Sequence, residues 1–251
     1  MKFRFRAFGL HLLGSAIVLT LVLGALYIGW YRWPGWYLAS VGQVALVLAG
    51  VDLCLGPLLT LVIASPHKAR RALARDIGII VTVQLCALVY GTISLWNGRP
   101  LYYAFSENVL QLVQAYDLDP HELAVARQQN LELAPHWYSL PRRIWAPLPA
   151  DAKDADRIMS SAVGGGADVI SMPRYFKQWD EGLPALRKQL KKLDDSNFFS
   201  PAEKNNLKKR MQNAGVATDQ ADTIPLLGRG RPLLVVFDLK SLKIVGMFKP
   251  N

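Results

Sequence analysis

The sequence has only two cysteines among 251 residues, and both lie in its first 97 residues. Cys54 and Cys86 each sit within a long apolar run, where cysteine acts as a small apolar side chain. Residues 98–251 contain no cysteine, which excludes a disulfide framework, a cysteine metal site and a thiol nucleophile there. A segment of this size can bury a hydrophobic core without disulfides.

Acidic residues are almost absent from residues 1–97, which contain only Asp52 and Asp76 beside eight lysines and arginines. The rest of the chain carries 17 acidic and 21 basic side chains, a mixture typical of water-soluble domains. This split excludes a single soluble domain. It predicts a membrane module over residues 1–97 and a soluble domain over residues 98–251.

Three long apolar runs fill the first part of the chain. They cover about residues 8–30, 38–64 and 77–96, and we number them spans 1 to 3. Each has about the length that an α-helix needs to cross the roughly 30 Å hydrocarbon core of a bilayer. The basic start MKFRFR also resembles a signal peptide, but the run after it is too long and no small-residue cleavage site follows promptly. We therefore predict three uncleaved transmembrane helices.

The basic residues of this part predict its orientation. They precede span 1 and fill the loop between spans 2 and 3: Lys2, Arg4, Arg6, Lys68, Arg70, Arg71 and Arg75. The loop between spans 1 and 2 has only Arg32. Because cytoplasmic loops carry the excess of lysine and arginine, we predict a cytoplasmic N-terminus and an exported domain over residues 98–251. The aromatic loop IGWYRWPGWYL is then an anchor at the outer interface.

Asp52 stands near the middle of span 2, where an ionisable side chain costs on the order of 2.5–3.5 kcal/mol on insertion scales. Counted from the cytoplasmic side, Thr20 and Tyr90 lie at about the same depth, and Gln84 lies roughly a turn and a half nearer the cytoplasm. We predict that Asp52 faces the interior of the helix bundle and bonds to Tyr90 or Thr20. Its role stays open between a polar clasp, contact with a partner helix, and ion or proton handling.

Two further features of span 2 are candidates for partner contact. Pro57 has no amide hydrogen, so the carbonyl of Leu53 should lose its helical partner and the span should kink. Ala45 and Ala49 form a small-xxx-small ridge, which allows close helix packing in lipid. The ridge fits either packing within the bundle or contact with a partner helix.

Residues 98–251 contain strand and helix signals. Strands are predicted over 101–105 and 108–117, and RPLLVVFDLKSLKIVGMF predicts a C-terminal β-hairpin with a turn near 238–241. Two helices should start at an N-cap followed by proline, with an acid three residues after the cap, in the segments DPHE (119–122) and SPAE (200–203). A helix is also predicted over 183–193, and an extended surface segment over 134–149. We predict an α+β fold with antiparallel strands.

No motif for chemistry is evident in the chain. The GGG segment at 164–166 lacks the flanking strand and Lys-Ser/Thr of a phosphate loop. His121 and His136 match no spacing of metal ligands. We predict no catalytic residues, no metal, no cofactor and no nucleic-acid partner.

Five segments in order along the chain resemble one family. They are FRAFGLHLL, GVDLCLGPLLTLV, DIGIIVTVQLCALVYG, RPLYYAFSENVLQLVQAYDL and GRGRPLLVVFDLKSLKIVGMF. Together they resemble the type IV pilin accessory proteins of the TfpX/TfpZ kind, least clearly over residues 150–222. The resemblance implies a multi-pass inner-membrane protein of a Gram-negative bacterium with a periplasmic domain. It also implies a chaperone-like accessory that helps a cognate pilin reach the pilus.

The partners that this resemblance implies are the type IV pilin subunit, the pilus assembly machinery and the lipid bilayer. One alternative is a membrane-bound enzyme that modifies pilin or envelope glycans, which needs a carboxylate or histidine constellation that the sequence does not show. Another is a sensor or transport subunit, for which three spans with one interior acid are thin support.

Overall fold

The computed structural model describes residues 1–216 and 221–250, and it separates into two compact units. The first unit comprises Met1–Arg32 and Ser40–Gly98. The second comprises Trp33–Ala39 and the chain from Arg99 onward. The short segment Trp33–Ala39, between the first two long helices, is thus grouped with the sheet domain.

The first unit consists of long apolar helices. The elements of this region are α1 (Lys2–Leu26), a π-helical turn (Tyr27–Tyr31), α2 (Gly35–Leu38, in the second unit), α3 (Val41–Ala49), a π-helical segment (Gly50–Leu55), α4 (Gly56–Ile63) and α5 (Arg70–Asn97). They form three continuous helices that are long and apolar enough to cross a membrane: Lys2–Tyr31, Val41–Ile63 and Arg70–Asn97. The predicted three long apolar helices are confirmed, and the first begins six residues before the predicted span.

The middle helix changes its hydrogen-bond pattern around Asp52. In the segment Gly50–Leu55, which we call the π segment, the bonds reach back five residues, as from the N–H of Gly56 to the carbonyl of Val51. In that register the nitrogen of Pro57 faces the carbonyl of Asp52. Since proline has no N–H, this carbonyl receives no donor from its own helix. The sequence predicts that the carbonyl of Leu53 loses its helical partner. In the π register it is instead the carbonyl of Asp52, one residue earlier, that has no donor within the helix.

The second unit is built on one seven-stranded sheet. Its strands are β1 (Pro100–Ser106), β2 (Val109–Gln114), β3 (Arg142–Trp145), β4 (Lys177–Gln178), β5 (Ala221–Leu227), β6 (Leu233–Asp238) and β7 (Ile244–Phe248). Their order across the sheet is β4-β3-β1-β2-β5-β6-β7. The sheet is mixed, because β1 pairs with β3 and β2 with β5 in parallel. The prediction of antiparallel strands alone is corrected, whereas the combination of helices with strands is confirmed.

Besides α2, the described residues of the second unit form the helices α6 (Pro120–Gln128), α7 (Ala152–Val163), α8 (Leu183–Gln189) and α9 (Pro201–Asn213). The two predicted N-caps are present, since the Asp119 side chain accepts from the N–H of Glu122 and the Ser200 side chain from that of Glu203. The Glu203 carboxylate in turn accepts from the backbone N–H and the hydroxyl of Ser200, which lowers the pKa of Glu203.

Side chains alternate between the two faces of the sheet and are buried on both. One face presents Leu233, Val235 and Phe237 to a core that includes Leu186 of α8. The neighbouring positions Leu234 and Val236 pack on the other side against α9. Because both faces are covered there, strand β6 is almost continuously apolar.

Three local predictions differ from the structure. The helix predicted over 183–193 ends at Gln189, and Lys191 instead bridges to Thr223 through backbone hydrogen bonds. The segment 134–149 is extended but contains β3, whose Ile144 is fully buried between two strands. Helix α7 and strand β5 have no counterpart in the prediction.

The segment Trp33–Ala39 is an integral part of the second unit. Leu38 is fully buried in the core with Leu186, and its carbonyl accepts from the N–H groups of Arg229 at 2.8 Å and Gly230 at 3.2 Å. The ammonium of Lys249 lies 4.6 Å from the ring centre of Tyr37. The loop that the sequence suggests as an interfacial anchor therefore also supplies core side chains to the sheet domain.

Candidate functional site

Polar side chains from all three long helices meet inside the first unit. His11 lies on α1, Thr60 on α4 and Gln84 on α5, beside Asp52 of the π segment. The Nδ1 atom of His11 is 2.6 Å from the Thr60 hydroxyl, and its Nε2 atom is 2.7 Å from Oε1 of Gln84. The Nε2 atom of Gln84 donates to the backbone carbonyl of Asp52 at 3.2 Å. We call this chain of hydrogen bonds the polar network.

Hydrogen-bond chemistry fixes the proton on His11. The Asp52 carbonyl only accepts, so the Gln84 atom that faces it is the amide nitrogen. The amide oxygen of Gln84 then faces His11 and needs a donor, which assigns the proton to Nε2. In a neutral imidazole Nδ1 accepts, and the Thr60 hydroxyl is its donor. With this assignment every contact of the polar network has one donor and one acceptor.

Gln84 replaces the donor that Pro57 lacks, and glycine makes room for it. A Cβ atom on Gly56 would lie 2.1–2.3 Å from the amide end of Gln84. No larger residue at position 56 leaves this amide in place. Interhelical hydrogen bonds in membrane proteins contribute about 0.6 kcal/mol on average and up to about 1.7 kcal/mol. The polar network therefore stabilises the packing of the three helices on one another.

The carboxyl group of Asp52 is the exception to this satisfied arrangement. Asp52 is only 4% exposed, and its Oδ2 atom is buried without a hydrogen-bond partner among the described residues. Buried polar atoms are paired in the great majority of cases, because an unpaired one loses its hydration without compensation. Among the described residues of the first unit, Oδ2 of Asp52 is the one buried side-chain polar atom without a hydrogen-bond partner.

A cavity of about 760 Å³ opens beside the polar network. Its lining comes mainly from one face of α1 and one face of α5, and Asp52 and Thr60 are the residues that the middle helix contributes. On α1 the lining extends from Phe3 to Val18, and on α5 from Leu73 to Leu88. At 1.5 Å per residue, each face follows the cavity for about 22 Å. We call this cavity the α1–α5 groove; most of its lining is apolar.

The structure brings together only some of the residues that the sequence singles out. Asp52 and Gln84 both line the α1–α5 groove, and Pro57 is buried on the same helix as Asp52. Tyr90 is 78% exposed and Thr20 is exposed as well. Equal depth in the membrane fixes the height of a side chain but not the side of the helix from which it projects. Gln84 thus takes the position beside Asp52 that is predicted for Tyr90 or Thr20.

Ala45 and Ala49 lie half-buried on α3 and do not line the groove. Their predicted role in partner contact stays a prediction. His11 and Thr60, which complete the polar network, are absent from the predicted site. Both interrupt apolar runs as polar residues, and that interruption is the signal that identifies them.

The second unit has a cavity of about 950 Å³ of different character. Basic and aromatic side chains line it together with Asp180 and several aliphatic residues, and the guanidinium of Arg143 lies 5.7 Å from the ring centre of Trp179. Arg142 and Lys243 add positive charge, and burial raises the pKa of Tyr103 in its wall to about 12. The lining favours acidic or aromatic groups of a partner. No cluster of three or more metal-ligating His, Cys, Asp or Glu side chains occurs in residues 1–216 and 221–250.

The chain is similar to curated proteins of Dichelobacter nodosus. It is 24% identical over 240 residues to the fimbrial assembly proteins of serogroup E1 and of serogroup I, and each match covers 94% of this chain and 91% of the relative. The fimbrial assembly protein of serogroups C1 and C2 is 29% identical over 118 residues, which are 47% of this chain and 90% of that protein. No protein-family model matches the chain, and no solved structure matches it. The shared name of these relatives confirms the resemblance to type IV pilus accessory proteins that the sequence motifs indicate.

Proposed function

We propose that this protein is an inner-membrane accessory factor that assists the stability or assembly of a cognate type IV pilin. The name of the curated relatives, fimbrial assembly protein, supports a role in pilus biogenesis. The three long apolar helices support a location in the membrane. The single observation that carries the proposal is the α1–α5 groove, because it offers a place for a helix of the partner.

The groove has the length of a helical guest. It follows α1 and α5 for about 22 Å, most of the roughly 30 Å thickness of a bilayer core. A pilin waiting in the membrane presents an apolar helix of that kind. Leu10 and Leu85 line the groove and are 73% and 49% exposed, so they offer apolar surface to such a guest. Contact with a guest helix replaces lipid at these side chains.

The distribution of basic residues supports a periplasmic location for residues 98–251. The basic residues before α1 and at the start of α5 favour a cytoplasmic N-terminus, and three crossings then bring residues 98–251 to the periplasm. There the basic and aromatic cavity of the second unit offers a surface for the globular part of a pilin. The ridge of Ala45 and Ala49 is a second candidate for contact with the pilin helix.

Reporter fusions test this orientation. Alkaline phosphatase is active only outside the cytoplasm, so fusions after Asn97 and at Asn251 should be active and a fusion after His67 should be inactive. Enzyme activity normalised to the amount of fusion protein is the measurement. Reversed activities would contradict both the orientation and the periplasmic assignment.

Filling the groove tests the function itself. Gly14 lines the α1–α5 groove, and nothing lies within 4 Å of a Cβ built on it. Gly14→Phe should therefore leave the bundle intact while its ring occupies the space of the guest. We expect roughly tenfold less pilin to co-purify from detergent extracts, since about 1.4 kcal/mol of lost contact is a factor of ten in affinity.

Gly9→Phe is the matched control, because Gly9 has equally open surroundings on α1 but does not line the groove. It should co-purify pilin as the wild type does and support the same number of pili. Equal losses in both variants would show that the groove is not the pilin site. If Gly14→Phe co-purified pilin normally but the mass of the pilin changed, the alternative of a pilin-modifying enzyme would be favoured.

A further inference from the structure

The polar network leaves one chemical group of the α1–α5 groove unexplained. Asp52 contributes its backbone carbonyl to the network, whereas the Oδ2 atom of its carboxyl group stays outside the bonds among His11, Thr60 and Gln84. The side chain is 4% exposed, its Oδ2 atom has no partner among the described residues, and Asp52 lines the cavity. A polar atom so placed is suited to a group that the chain itself does not supply.

We propose that the Asp52 carboxyl selects a transmembrane guest helix that carries a hydrogen-bond donor side chain at its level. A carboxyl oxygen with free lone pairs accepts hydrogen bonds, so the complement of Oδ2 is an amine, amide or hydroxyl. The inference rests on the proposed function in one respect, that the occupant of the groove is a helix. It adds the chemistry by which one helix is distinguished from another.

The other polar side chains of the groove do not donate a hydrogen bond to Oδ2 of Asp52. His11, Thr60 and Gln84 are engaged with one another, and Ser15, which also lines the groove, makes no hydrogen bond to Oδ2. Arg6 lies nearer the start of α1, about 7.5 Å along the axis from His11. A donor for Oδ2 therefore comes from the occupant of the groove.

Such a contact gives selectivity that the apolar lining lacks. Lipid tails are as apolar as leucine, so an apolar groove alone distinguishes poorly between guest helices and lipid. A buried acceptor favours the guest whose donor lies at the correct height. Asp52 lies about 16 Å along the helix axis from the end at Ile63, so the contact also fixes how far the guest is inserted.

The test compares two synthetic peptides against the full-length protein in phosphatidylethanolamine and phosphatidylglycerol nanodiscs. Both peptides are 23-residue leucine-alanine helices, and they differ only in a central leucine or a central lysine. Lysine has donors and no acceptor, so the peptides cannot pair with one another through it. A photo-crosslinking residue replaces Val18, which lines the groove, or Val62, which is 71% exposed and does not.

We expect the lysine peptide to crosslink about three- to twentyfold more than the leucine peptide at Val18, the range given by interhelical hydrogen bonds in membranes. At Val62 the two peptides should give equal yields. The preference at Val18 should fall in Asp52→Asn, whose amide oxygen accepts without charge, and vanish in Asp52→Leu. The wild-type comparison of the two peptides decides the question even where Asp52→Leu fails to fold.

Equal yields from the two peptides at Val18, or a preference that both substitutions leave unchanged, would overturn the inference. Cognate pilin in the same nanodiscs separates this failure from failure of the proposed function. Pilin captured from Val18 without a lysine preference leaves the function standing and removes the selectivity. A preference for the lysine peptide without capture of pilin would support the selectivity of Asp52 and contradict pilin as the occupant of the groove.

Discussion

Replacing Gly228 by alanine should lower the free energy of unfolding of the second unit by about 2–6 kcal/mol. A Cβ atom at this position would lie 2.5 Å from the carbonyl oxygen of Leu38 and 2.8 Å from its Cβ atom. These are a backbone atom and a Cβ atom, which rotation of the side chain cannot move away. The segment Trp33–Ala39 would have to move off the sheet domain.

The expected decrease in the free energy of unfolding has two contributions. Overpacking a tight core costs typically about 1–3 kcal/mol. Moving Leu38 also breaks the hydrogen bonds that its carbonyl accepts from Arg229 and Gly230, at about 0.5–1.5 kcal/mol each. Denaturant unfolding of the full-length protein measures the change, and trypsin cleavage after Arg32 should become faster because the next residue is no longer held.

Gly164→Ala is the matched control for this prediction. A Cβ atom on Gly164 would meet its nearest neighbours at an ordinary 3.4 Å, and the residue has a negative φ of −75°. Its stability should stay within about 0.5 kcal/mol of the wild type. An unfolding transition and a cleavage rate of Gly228→Ala equal to those of the wild type would show that Trp33–Ala39 is not part of the sheet domain.

Gly56→Ala should destabilise the three-helix unit by about 1–3 kcal/mol. The added methyl group would occupy the space of the Gln84 amide, and this flexible end would move away. The cost is then the loss of its bonds to His11 and to the Asp52 carbonyl, at up to about 1.7 kcal/mol each in a membrane protein. The measurement is thermal unfolding in detergent.

Gly50→Ala serves as its control, since nothing lies within 4 Å of a Cβ built on Gly50. It should be neutral or slightly stabilising, because alanine favours helix over glycine by up to about 1 kcal/mol. Should Gly56→Ala prove as stable as Gly50→Ala, the polar network would make no measurable contribution to helix packing.

Local signals in the sequence were sufficient for the elements that depend on near neighbours. The caps at Asp119 and Ser200 and the hairpin turn at Asp238 bond within three or four residues, so their sequence patterns identify them. The parallel pairing of β3 with β1 depends on residues far apart in the chain. The four prolines around β3 also hide it as an irregular segment.

The candidate site was predictable to a similar extent. Asp52 and Gln84 are recognisable as polar residues within apolar helices, and the structure brings them together. Their partners are harder to predict, because the π segment alters the rotation of the middle helix and α1 begins at Lys2 rather than near residue 8. Counting residues from the predicted span ends therefore selects Thr20 and Tyr90 instead of His11 and Thr60.

Photo-crosslinking in living cells that assemble pili shows most directly whether the α1–α5 groove holds the pilin helix. A photo-crosslinking residue replaces Val18 in the groove, Ala49 on the ridge, or Val62 outside both. The number of pili, compared with the wild type, verifies that each variant is functional. Adducts are identified by the mass of the pilin and by its antibody.

We expect a pilin adduct from Val18 at least about tenfold stronger than that from Val62. An adduct from Ala49 but not from Val18 would move the contact to the ridge of α3. Piliated cells without a pilin adduct from Val18 would contradict the claim, and adducts formed only from crosslinkers in the second unit would show that the long helices serve as an anchor.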